Sequence, residues 1–192
     1  MTYVPHSPVQ VPDEARLVAR ARDRDAAAFE QLIVTHGPQL QRMLRRVLGS
    51  APDAEEVLQE TFLKAWRGIE RFRGEALFST WLYRIAINEA RRRQAYDSHR
   101  HALPIDDVML ELPDLSEGPA SLAESAELES FIEQCVAELP VSYREAVVLR
   151  DVEGLSNEEA ATILEVDLRN YKSRLHRGRM AIRRQVEERY SG

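Results

Sequence analysis

Cysteine is nearly absent. Cys135 is the single one in 192 residues, which excludes an intrachain disulfide framework and any cysteine-rich zinc site. It stands at an apolar helical position in FIEQCVAEL and reads as buried core rather than as a reactive thiol. Glycine is scarce, eight residues that never occur in pairs. There is no Gly-rich phosphate loop, no HExxH pair and no nucleophile elbow. The five histidines, at 6, 36, 99, 101 and 176, are scattered, so neither a metal nor a cofactor nor a catalytic activity of its own is expected. No stretch approaches the ~18 consecutive apolar residues of a membrane span, and the first residues lack the basic-then-apolar order of a secretory signal. A cytoplasmic protein without membrane insertion is expected. An excess of positive charge is missing too. With 26 Lys/Arg against 32 Asp/Glu the net charge is −6, so any affinity for nucleic acid has to be local.

What is present is helical periodicity. At 44% hydrophobic and 30% charged, the chain has apolar material for modest cores, and its length suits one large domain or two small ones. Residues 1–12 hold three prolines and no charge and read as a loose arm. From Asp13 to Asp97 the pattern is helical. Glu14 to Arg22 is a short helix. Ala26 to Leu48 is a second, expected to break near Gly37-Pro38. Gly49-Ser50-Ala51-Pro52 is a clear breaker. Asp53 to Arg67 is a strong helix, Phe72 to Ala76 a loop, and Phe78 to about Tyr96 another helix. His99 to Ser121 carries three prolines and five acids against one base, and reads as an extended acidic linker. Helical pattern resumes over about 122–138, 140–151, 156–165 and 168–189. The expected fold is all-α: a helical domain over 13–97, a linker over 98–122 and a second helical domain over 123–192.

The second domain ends in the most informative segment. Ser156 and Glu159 form a capping box, Ala160, Ala161, Ile163 and Leu164 make an apolar side, and Asp167 is placed to cap the next helix. On that helix Leu168, Tyr171, Leu175, Ile182 and Val186 form one stripe. From Leu168 to Arg184 there are seven Lys/Arg and no Asp/Glu. Ser173, Arg174, Arg177 and Arg184 lie off the stripe, and Lys172, His176, Arg179 and Arg183 flank it. A cationic helix presented by a preceding helix is the arrangement that enters a DNA major groove. A solvated amphipathic helix with surplus charge is the blander alternative.

The first domain has two features. DAEEVLQETFLKAW runs from acidic to basic, as the helix dipole favours, and Asp53, Glu56, Gln59 and Glu60 share one polar side. That side is either a solvated face or a docking surface for a basic partner helix. Further on, Phe72, Phe78, Trp81 and Tyr83 fall within twelve residues, interleaved with Arg71, Arg73, Arg84 and Arg91 to Arg93. Aromatic faces stack unpaired bases and arginines follow phosphates, although two or three of these rings are expected in the core. Asn88, an amide in an apolar run, has the paired donor and acceptor that read a base edge, or simply faces solvent.

Taken together, DAEEVLQETFLKAW, FRGEALFSTWLYRIAIN, LPVSYREAVVLRDVEGLSNEEAATIL and KSRLHRGRMAIRR closely resemble the extracytoplasmic-function (ECF) group of bacterial sigma factors. The resemblance covers about 14–97 and 123–187. It implies a sigma-2-like domain whose Asp53, Glu56, Gln59 and Glu60 grip the clamp helices of the polymerase β′ subunit. It implies that Phe72, Arg73, Gly74, Trp81, Arg84 and Asn88 melt and read the promoter −10 element. It implies a sigma-4-like domain whose Lys172, Ser173, Arg174, His176 and Arg177 meet the −35 element, and a linker threading toward the RNA path. The implied partners are core RNA polymerase (β′ clamp and β subunits), promoter DNA and an anti-sigma factor. One departure stands out: the recognition helix commonly starts with a Pro-x-Gly-Thr-Val type run, and here the run is Asp167-Leu168-Arg169-Asn170-Tyr171. This is expected to add a charge and a ring near the DNA backbone. Two other classes stay open on the residues alone. A stand-alone helix-turn-helix regulator explains 155–187 but leaves 71–93 idle. An enzyme acting on nucleic acid lacks any grouped carboxylates or histidines.

Overall fold

The computed structural model describes residues 13–100 and 125–190. The arm, and all of the linker except 98–100, lie outside the described residues. Eight α-helices and no strand occur among the described residues: α1 (Glu14–Arg22), α2 (Ala26–Leu48), α3 (Ala51–Gly68), α4 (Phe78–Arg100), α5 (Ser125–Glu138), α6 (Val141–Val147), α7 (Asn157–Leu164) and α8 (Leu168–Tyr190). The helix expected to end near Tyr96 runs to Arg100.

The breaks between helices follow local chemistry. Asp25 caps α2 by accepting from the Ala28 N–H at 3.1 Å. Gly49 closes α2 in the left-handed region at φ 69, its N–H bonded to the Arg45 carbonyl. Ser50 caps α3, and Pro52 sits in the first turn, where no intrahelical N–H is needed. The breaker is thus compressed to two residues. The expected break at Gly37-Pro38 does not occur: α2 is one helix with Pro38 inside it. The carbonyl that Pro38 leaves without its usual partner belongs to Val34, which is 69% exposed, so water can satisfy it. Gly37 meanwhile lies against the Phe62 ring. Tertiary packing outweighs the local breaker.

Helices α1 to α4 form one bundle around Leu32, Leu40, Met43, Leu44, Ile69 and Ile87, all fully buried. Helices α5 to α8 form a second around Leu149, Ile163, Leu164 and Tyr171. The predicted helix over 140–151 is divided. Regular α6 gives way to a wider π-helical turn over Val148–Val152, and Gly154 at φ 72 ends it. Cys135 is 1% exposed, and burial raises its thiol pKa, with Glu138 adding to the rise. The two bundles pack against each other along α2, α4, α6 and α7 and share one continuous apolar core.

Candidate nucleic-acid interface

Helix α7 begins as the sequence indicates. The Ser156 hydroxyl accepts from the Glu159 N–H at 3.1 Å, and the Glu159 carboxylate accepts from the Ser156 N–H at 2.8 Å. The turn to α8 uses Glu165 in the left-handed region at φ 57, a position where glycine is usual. The Asp167 carboxylate then accepts from the Asn170 N–H at 2.8 Å and caps α8.

On α8, Lys172 and Ser173 are exposed, and Arg174, His176 and Arg177 are half-buried. Arg174 donates from Nε to the Asn170 side chain at 2.8 Å, and Arg177 donates to the Tyr143 hydroxyl at 3.3 Å. Nε2 of His176 is buried without a hydrogen-bond partner among the described residues. The expected ring near the DNA backbone is not there. Tyr171 is fully buried, and its hydroxyl donates to the Ala146 carbonyl at 3.1 Å. Burial, aided by Asp151, raises its pKa. The helical stripe, not the unusual motif, decides where that ring goes. Farther along, Arg179 forks onto Asp151 at 2.6 and 3.0 Å, and Arg183 and Arg184 pair with Glu187 and Glu188 one turn on. The cations without acids on their own helix turn are therefore concentrated in the first half of α8.

In the first bundle a cleft of about 270 Å³ opens between the loop after α3 and the start of α4. Its walls include Arg71, Phe72, Arg73, Trp81 and Arg84. Phe72 is 7% exposed and Phe78 4%. Their rings lie 5.1 and 5.7 Å from the Trp81 ring, so two buried rings hold the half-buried one in place. Tyr83 is also core. Gly74 is at φ 73, with open space around it, and exposed Arg73 pairs loosely with Glu75 at 3.7 Å. Arg84 is exposed at the rim. Asn88, half-buried one turn further on, is not part of the cleft wall. Thr80 is, and the sequence does not single it out: it stands beside Ser79 in the first turn of α4, both side chains being buried. A further wall comes from Thr162 and Ile163 of α7.

On α3, Glu56, Gln59 and Glu60 are exposed and Asp53 is half-buried. Arg93 of α4 donates to Asp53 at 2.6 Å and to Glu56 at 2.9 Å. Half of the predicted acidic face is therefore tied to the bundle itself. No cluster of His, Cys, Asp and Glu among the described residues could hold a metal ion. No helix among them is long and apolar enough to cross a membrane.

This architecture, a four-helix bundle with an aromatic cleft followed by a capped helix-turn-helix, is that of a transcription initiation factor of the sigma class. The family model for Sigma-70 region 2 matches residues 32–100, and that for Sigma-70, region 4 matches residues 132–182. The chain is 34% identical to the RNA polymerase sigma-H factor of Pseudomonas aeruginosa over 88% of its own length and 91% of that protein's. It is 35% identical to the ECF RNA polymerase sigma-E factor of Haemophilus influenzae, over 93% and 97%. Among solved structures it is similar to CnrH in complex with the cytosolic domain of CnrY, with a TM-score of 0.67, 25% identity and coverage of 92% and 99%. It is also similar to the sigma factor RpoE in complex with the anti-sigma factor NepR from Bartonella quintana, with a TM-score of 0.65, 25% identity and coverage of 83% and 96%. The chain belongs to the sigma-70 family of RNA polymerase sigma factors, in its ECF group.

Proposed function

We propose that the chain binds core RNA polymerase in the cytoplasm and directs promoter recognition, −10 melting and transcription initiation, without catalysis of its own. One observation carries this reading: a single chain combines an aromatic, arginine-rimmed cleft with a helix-turn-helix whose second helix has no acid from 168 to 184. The first suits unpaired bases and the second suits a duplex groove. Transcription initiation requires one protein to hold both forms of DNA. We assign 13–97 to core polymerase and the −10 element, 98–122 to the connecting segment, and 123–192 to the −35 element, after an arm at 1–12.

Within that division, Asp53, Glu56, Gln59 and Glu60 dock on the β′ clamp. Phe72 and Trp81 form the stacking wall; Arg73 and Arg84 follow phosphates, with Gly74 giving the loop its turn. Asn88 reads a base edge farther along α4. Lys172, Ser173, Arg174, His176 and Arg177 meet the −35 element. The resemblance to RpoE, solved with an anti-sigma factor, supports an anti-sigma factor as a further partner, beside the β′ and β subunits of the polymerase.

The test is strand opening. Arg84→Ala, which removes a phosphate contact, and Asn88→Ala, which removes a base contact, should each reduce permanganate-reactive thymines on a duplex promoter, roughly tenfold for Asn88→Ala if a base contact worth 1–3 kcal/mol is lost. A template already mismatched at −10 should recover the melting part of the defect only. Normal opening and unchanged base preference in both variants would remove α4 from −10 reading.

A further inference from the structure

The run Asp167-Leu168-Arg169-Asn170-Tyr171, which departs from the family pattern, is internally connected. Asp167 is the N-cap of α8, and its carboxylate accepts from the Asn170 N–H at 2.8 Å. Asn170 is therefore the third residue of the helix, with its backbone held. One turn on, Asn170 Oδ1 accepts from Arg174 Nε at 2.8 Å. That bond settles which way the amide points. Its oxygen faces the Arg174 N–H, so both Nδ2 hydrogens are left for other acceptors. The intervening Tyr171 is fully buried, and its hydroxyl on the Ala146 carbonyl anchors this turn to α6.

The partner of Arg174 differs in kind from those of the later arginines. Arg179 is bound to Asp151, Arg183 to Glu187 and Arg184 to Glu188. A carboxylate offsets the charge it holds. The amide oxygen of Asn170 orients the Arg174 guanidinium and leaves its charge whole. A hydrogen bond between exposed side chains one turn apart adds little to helix stability, so the consequence of this one is direction. Arginine has a long, flexible stem, and one aimed before DNA arrives loses less freedom on binding. With Nε engaged, the donors left on Arg174 are those of Nη1 and Nη2. Together with Nδ2 of Asn170 they make an edge of donors without an acceptor.

In a major groove such an edge has one best match. Guanine presents two acceptors, O6 and N7. Adenine presents an acceptor beside a donor, thymine an acceptor beside a methyl, and cytosine a donor. A free asparagine reads adenine through its paired oxygen and nitrogen. In Asn170 the oxygen is turned to Arg174, so that reading is closed to it, and the pair as a whole selects for acceptors.

We propose that Asn170 is a positioning residue for promoter recognition: it holds Arg174 with the Nη edge directed at a guanine of the −35 element and so sets the base preference at that position. This inference rests on the assignment of α8 to the −35 element above. The atypical entry to α8 then has a use. Asp167 fixes the backbone of Asn170, Asn170 aims Arg174, and Arg174 meets the base.

The test uses the full chain reconstituted with bacterial core RNA polymerase on a pool of duplex promoters randomised across the −35 element, with transcripts counted by a barcode in each template. Wild type is compared with Asn170→Ala, Asn170→Asp, Arg174→Ala and the double alanine variant. Wild type should favour guanine at one −35 position by about tenfold or more. Arg174→Ala should erase that preference. Asn170→Ala should weaken it about threefold or more at the same position, the effect of one lost hydrogen bond, and leave the other positions alone. Asn170→Asp keeps an oxygen facing Nε, so it should retain the guanine ratio, at a lower yield because the added charge faces phosphates. The double variant should match Arg174→Ala, because both changes remove the same contact. Asn170 is exposed, and alanine is the better helix former, so the fold tolerates the change. A wild-type guanine preference in Asn170→Ala, or a uniform loss over all sequences, would overturn the proposal. So would a guanine preference that Arg174→Ala leaves intact, or a change in Asn170→Ala at a different position from that of Arg174→Ala, which would make Asn170 an independent reader. If the wild-type holoenzyme selects no sequence near −35, the assignment of α8 to that element falls, and the positioning role with it.

Discussion

At Gly178 the spacing of two helices is decided by a single missing methyl. A Cβ there would stand 2.6 Å from Val147 Cγ2 and 3.3 Å from the Tyr143 carbonyl oxygen. Helix propensity favours alanine over glycine by up to ~1 kcal/mol, but overpacking a tight contact costs about 1–3 kcal/mol. The branched Val147 and the Tyr143 backbone have little freedom to yield. Gly178→Ala should therefore lower the melting temperature by about 2–5 °C in a circular dichroism melt; a rise would mean that α6 and α8 do not approach this closely. His36 supplies a pH dependence. It is 4% exposed and donates from Nε2 to Glu14 at 3.0 Å. Burial lowers its pKa below the ordinary 6.5, with Glu14 opposing. The unfolded chain then takes up the proton first. The contribution of His36 is complete above 6.5 and is lost as pH falls through the native value. Between about pH 7.5 and about pH 5, the melting temperature of the wild type should fall more steeply than that of His36→Gln. Residue roles set by neighbours in the chain were legible: the Ser156–Glu159 box and the Asp167 cap appear as the sequence indicates. The arginines at 91 and 93 were not. Their acids are 54 and 40 residues away, so a string that looks like a phosphate track is partly spent on ion pairs.

Helix α3 shows how an element's surface divides between structure and docking. Its acidic side is continuous in sequence, yet Asp53 and Glu56 brace Arg93, while Gln59 and Glu60 face outward. Reversing Glu56 would disturb the bundle as well as any interface. The cleaner variant is Gln59→Ala with Glu60→Lys, which should weaken binding to core polymerase about tenfold or more in a competition assay, with helicity unchanged. Undiminished competition would remove this face from the docking role. Most elements were legible from apolar spacing. Two were not, for physical reasons. The Gly37-Pro38 pair reads as a break because local rules cannot see the Phe62 ring packed against it. The π-helical turn at Val148–Val152 keeps the apolar pattern of an ordinary helix and differs only in where it sends Glu153.

Across the whole molecule, the division into two helical units and the character of each were readable from composition, capping and the four family-like strings. Their mutual arrangement was not, because it depends on the single residues Glu145 and Glu153 meeting Arg91, Tyr83 and Gln39 over a junction with no local signature. The central claim is that the two units act together on one promoter under the control of polymerase. It is tested most directly by reconstituting the full chain with bacterial core RNA polymerase on genomic DNA and sequencing the 5′ ends of the transcripts. The expected result is a restricted set of start sites that requires the added chain and shares one short motif about 10 and another about 35 base pairs upstream, with weak duplex binding by the chain alone. Start sites identical with and without the chain, together with tight binding of the free chain to a palindromic duplex, would contradict it and mark the protein as a stand-alone regulator.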